Sequence, residues 1–67
     1  MTTPTAVAAV RELIATADLL QSFTDPFAVK AKRDCWSCVA DLEFGSHCEE
    51  AAHTLVLSVE HWLERAA

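Results

Sequence analysis

Cys35-Trp36-Ser37-Cys38, followed by His47-Cys48, is the one constellation in this chain whose residue types could carry chemistry. Thiolate and imidazole are the donors that zinc and softer metals take, and C-x2-C is a common half-site. Three residues apart on a helix, Cys35 and Cys38 point the same way and could share an ion. His47 or Cys48 could join them only if the segment after Gly45 folds back across the one before it. Along a helix axis Cys38 stands roughly 10 Å from that turn. The requirement is awkward, and the preferred reading makes all three cysteines small buried hydrophobes on core stripes. The alternative kept beside it is a metal-binding or thiol-sensing domain that uses Cys35, Cys38 and Cys48, with His47 as fourth ligand.

Other chemistries find less support. A thioredoxin-like pair needs its C-x-x-C at a helix N-terminus among strands, and a c-type haem needs His where Val39 stands. His53 and His61 lie off the apolar stripe of their helix, about two turns apart, too far to share an ion. A chain with one glycine cannot build a phosphate-cradling loop. The chain therefore reads as non-enzymatic and without a cofactor.

The elements that position these residues are marked by sparse punctuation. Thr3-Pro4 has the form of an N-cap followed by Pro at the first helical position, where its missing N–H is harmless. Asp25-Pro26 repeats the device and must end the preceding helix. Gly45 suits the left-handed position after a helix, and Ser46-His47-Cys48-Glu49 has the form of a capping box. Helices are predicted over about 4–23, 26–44 and 47–65.

Apolar residues recur at spacings of three and four in each segment. The stripes are Ala6, Val10, Leu13, Ala17 and Leu20; Ala28, Ala31, Cys35, Cys38 and Leu42; and Cys48, Ala52, Leu55, Val59, Trp62 and Ala66. The expected fold is an all-α domain over 1–67, a small three-helix bundle that a second copy could close.

Bulk composition bounds the partners. At 67 residues the chain holds one domain, yet 52% of it is apolar, so a homo-oligomeric interface, a dimer at simplest, is expected to take the surplus. Ten acidic against five basic residues give a net charge of −5, and the one basic cluster, Lys30, Lys32 and Arg33, is followed by Asp34. No nucleic-acid partner is expected from that balance. No apolar run is long enough to span a membrane, and the first residues lack a secretory pattern. An odd number of cysteines in a small chain fits the reducing cytoplasm.

Apolar residues outside the stripes point to a protein partner. Val29 and Trp36, seven apart on the second helix, share an outer face with Ala40, while Leu57 lies nearly opposite the third stripe. Aromatic anchors are enriched at interfaces, and Lys32 and Arg33 would supply a polar rim. The competing reading makes Trp36 part of a wider core. The expected function is a protein–protein interaction module, a small acidic regulator or inhibitor that self-associates and presents a helix face.

Ala51-Ala52-His53-Thr54-Leu55, with Leu63 and Glu64 beyond, resembles the C-terminal helix of a family of short uncharacterised bacterial proteins. Cys38-Val39-Ala40-Asp41-Leu42 is similar to an earlier segment of that family, although the two pieces stand closer together here. The resemblance implies a helical protein and carries no activity with it.

Overall fold

The computed structural model describes residues 4–46 and 48–66. Three helices follow one another, α1 (Pro4–Leu20), α2 (Pro26–Glu43) and α3 (Glu49–Ala66), with no strand among the described residues. Each packs against the other two, α1 most extensively on α2 and α2 least on α3. The bundle measures 38 × 17 × 15 Å.

The helix ends follow the punctuation, but four of the six are shifted from the expected 4–23, 26–44 and 47–65. The first helix stops at Leu20, not Phe23. Its last turn tightens through Gln21 N–H to the Asp18 carbonyl at 3.3 Å and Phe23 N–H to the Leu20 carbonyl at 3.1 Å. The chain must then become extended before Pro26, and Asp25 has ψ 144°. Asp25 does occupy the N-cap position of α2, but its side chain makes no capping hydrogen bond.

The second helix ends at Glu43, with Phe44 as its C-cap. Gly45 has φ +90°, and its N–H donates to the Leu42 carbonyl while Ser46 N–H donates to that of Asp41. This pair of bonds is a Schellman motif, which only a residue free of Cβ strain closes without cost. It also explains why the capping box fails. The box needs the Ser46 N–H for the Glu49 carboxylate, and that N–H is already committed to Asp41. The third helix therefore starts at Glu49 rather than 47, and the Cys48 carbonyl accepts its first bond, from Ala52 N–H at 2.9 Å. His47, predicted as its first residue, and Thr3, predicted as the cap of α1, lie outside the described residues. At the far end α3 runs to Ala66.

Two apolar clusters hold the bundle. The larger joins Ala6, Leu13 and Ala17 of α1 to Cys35, Val39 and Leu42 of α2 and Ala52 and Val56 of α3. The smaller joins Leu20, Ala28, Ala31 and Val59. Five of the twelve buried apolar residues described are alanines, which let the helices approach closely and leave few large side chains to fill the core. In α2 the stripe is rotated slightly from its sequence reading, with Val39 buried and Cys38 half-buried. Val10 and Leu55 are likewise half-buried at the edges of their stripes, and Ala66 is exposed. Thr16 is buried too, its hydroxyl donating to the Glu12 carbonyl at 2.7 Å, and among the described residues no buried side-chain nitrogen or oxygen lacks a partner.

An aromatic group seals the end of the bundle where α1 passes into α2. The Trp62 ring meets Phe23 edge-on at 5.1 Å and stacks on Phe27 at 5.3 Å. It thus ties the α1–α2 connection to the last turns of α3.

Candidate functional site: an exposed face of α2 and a pair of thiols

The residues singled out in the sequence fall into two groups. Val29 and Trp36 are both 45% exposed, so Trp36 is not a core residue. Their spacing of seven places them on one side of α2, and Ala40, also exposed, continues the line. Arg33 lies between them and is exposed, whereas Lys32 is half-buried. Phe27 marks the side of α2 that meets α3, through its stack on Trp62. Trp36 is nine positions on, about half a turn around the helix, and faces away from α3. Leu57 is 50% exposed, but it sits about 140° round α3 from buried Ala52, on the outer side of that helix. It does not extend the Val29–Trp36 line.

The charges beside this line are weakly paired. Lys30 approaches Asp34 at 3.7 Å in an i, i+4 ion pair whose ends are largely solvated, so it adds little to stability.

The cysteines separate differently from their sequence reading. Cys35 is fully buried in the larger cluster, but Cys38 and Cys48 are half-buried at its edge. The sulfurs of Cys38 and Cys48 stand 3.8 Å apart. The rise along α2 separates Cys38 from the turn by roughly 10 Å, but rise along one helix does not set the distance to the next. The Schellman turn reverses the chain, and the start of α3 comes back alongside the last turns of α2. Among the described residues, no three His, Cys, Asp or Glu side chains gather as a metal ion would require. His53 is exposed beside Glu12 and Glu49 in a shallow groove between α1 and α3, and His61 is exposed as well.

Burial sets the acidity of these thiols. Desolvation pushes Cys35 up from the ordinary thiol value of 9.0, with the nearby Asp34 charge adding to it. Cys38 is pushed up to about 11, first by desolvation, then by its hydrogen bond to Cys48 and the neighbouring negative charges. The folded chain thus keeps protons that the unfolded chain gives up, so unfolding releases protons as the pH rises above the ordinary value. The stability Cys38 contributes this way is complete below about pH 9 and is lost as the pH climbs through about 11. Thermal midpoints measured across that range should fall steadily, and Cys38→Ala should flatten the fall. An unchanged slope in that variant would remove Cys38 as its source.

No signal in the sequence announced the sulfur contact, because it depends on how the turn aims α3. No protein-family model matches the chain, and neither a curated protein nor a solved structure matches it.

Proposed function

We propose that the chain is a protein–protein interaction module without catalytic activity, and that it self-associates through the outer face of α2. The observation that carries this reading is the exposed line of Val29, Trp36 and Ala40 on a side of α2 turned away from α3. A half-exposed Trp with an apolar neighbour two turns away is the kind of anchor that interfaces use. Lys32 and Arg33 provide its charged margin.

The occupant proposed is a second copy of the chain. A 67-residue domain gains little net stability from its own core, and one that is 52% apolar gains more by covering exposed apolar surface with another copy. The core described above is rich in alanine, which sharpens that need. The dimer, cytoplasmic in this reading, would act as a small acidic regulator whose helix face a protein partner recognises.

Native mass spectrometry and light scattering over a range of concentrations test the proposal. The wild-type chain should have twice the monomer mass. Trp36→Ala should shift the species to monomer while far-UV circular dichroism keeps its helical signature, because a side chain on the outer face contributes little to the monomer's packing. A wild-type chain that stays monomeric at every concentration, or a variant that dimerises as before, would remove α2 as the interface.

A further inference from the structure

We propose that Cys38 and Cys48 form a redox-active dithiol that closes to an intramolecular disulfide, a covalent clasp between α2 and the start of α3. The two sulfurs are 3.8 Å apart and already in contact. Bond formation draws them to about 2.0 Å. Both residues are half-buried, so a small oxidant can reach them, while Cys35 is sealed in the core. Selectivity within the three thiols follows from that difference in access.

The place of the clasp gives it a consequence. The α2–α3 contact is the thinnest of the three helix pairs. A bond from Cys38 to Cys48 spans the Schellman turn and pins the start of α3 to α2, the helix pair with the least packing between them. In the reduced chain that end of α3 is held by the backbone turn and by noncovalent side-chain contacts. Oxidation therefore decides how readily the N-terminal end of α3 opens.

The oxidant is a small organic disulfide of the glutathione class. One cysteine thiolate attacks a sulfur of that disulfide, forms a mixed disulfide and expels one small thiolate. The second cysteine thiolate then attacks the protein sulfur of the mixed disulfide and expels the other. Two electrons pass from the protein sulfurs to the small disulfide, and the two protons end on its two thiols. Because Cys38 holds its proton up to about pH 11, the exchange is slow near neutrality and accelerates in alkali.

The experiment equilibrates the purified full chain with glutathione buffers of graded ratio, without denaturant and again in urea. Remaining thiols are then trapped with a mass tag, and the linkage is mapped by peptide mass. The expected product is a chain two hydrogens lighter with its disulfide internal, Cys38 to Cys48, no covalent link between copies, and Cys35 untagged until the protein unfolds. The closure constant should be at least about tenfold larger in the native chain than in urea, equivalent to about 30 mV. Cys35→Ser should close as the wild type does, and Cys38→Ser and Cys48→Ser should stop at a glutathione adduct. Separate adducts on both cysteines, a bond involving Cys35, or a closure constant no larger than in urea would each overturn the proposal. The wild-type readings decide the matter even if a variant folds poorly.

Discussion

Leu13→Ala should destabilise the bundle by about 3 kcal/mol, the cost of losing buried methyl groups plus the cavity they leave. Leu13 sits in the middle of α1 with no exposed surface, facing α2 and α3 within the larger cluster. Its neighbours there include Ala6, Ala17 and Ala52, which have no side-chain reach with which to fill the space. A single core at this length supplies only about 3–5 kcal/mol in total, so the variant should lie near its unfolding midpoint at room temperature. Urea titration followed by circular dichroism reads this directly, at fixed protein concentration because association would shift the midpoint. Leu19→Ala is the control. That leucine is 59% exposed on the same helix, and its loss should change stability by no more than about 0.5 kcal/mol. Equal effects at the two positions would mean that α1 does not bury the face assigned to it.

The contrast between Leu13 and Leu19 is one that the sequence carries by itself, since the stripe through Ala6, Leu13, Ala17 and Leu20 includes one and leaves out the other. Helix number and order were legible for the same kind of reason. Pro4, Asp25-Pro26 and Gly45 act on the backbone locally, and their effects need no knowledge of the fold. What failed was local in appearance but depended on the next element. Ser46 has the residue type of a cap, yet its N–H is taken by the end of α2. Phe23 has the pattern of a last helical residue, yet it leaves α1 and packs on Trp62, 39 positions along the chain. Whether Cys38 or Val39 enters the core turns on 100° of helix rotation, which is set by how α1 and α3 press on α2.

The candidate sites show the same division. That Trp36 stands outside the core follows from its angle on α2 once the faces toward α1 and α3 are known, and the sequence left both readings open. The meeting of Cys38 with Cys48 was legible in neither spacing nor periodicity, because a turn one residue longer would aim Cys48 elsewhere. A contact across a turn is a property of the turn's dihedral angles. Here those angles are set by one glycine at φ +90°.

Trp62→Ala should cost about 2–3 kcal/mol, somewhat below the range for a fully buried tryptophan because Trp62 is half-exposed. Its indole contacts two rings that the backbone leaves otherwise weakly held. Phe23 lies in the α1–α2 connection, outside any helix, and Phe27 is 41% exposed in the first turn of α2. Each aromatic pair is worth about 0.5–1.5 kcal/mol beyond the area it buries, and one substitution removes both. The smaller cluster also loses cover, since Trp62 packs over Leu20, Ala28, Ala31 and Val59. The loss should therefore be felt first at one end of the bundle, with amide exchange accelerating around the α1–α2 connection and the C-terminal turns of α3. The Leu13 variant should instead weaken all three helices together. Trp62→Phe keeps a ring between Phe23 and Phe27 and should recover about half of the loss. If Trp62→Ala leaves exchange around Phe23 unchanged, the connection is held by its backbone bonds alone, and the aromatic group is a passive cover.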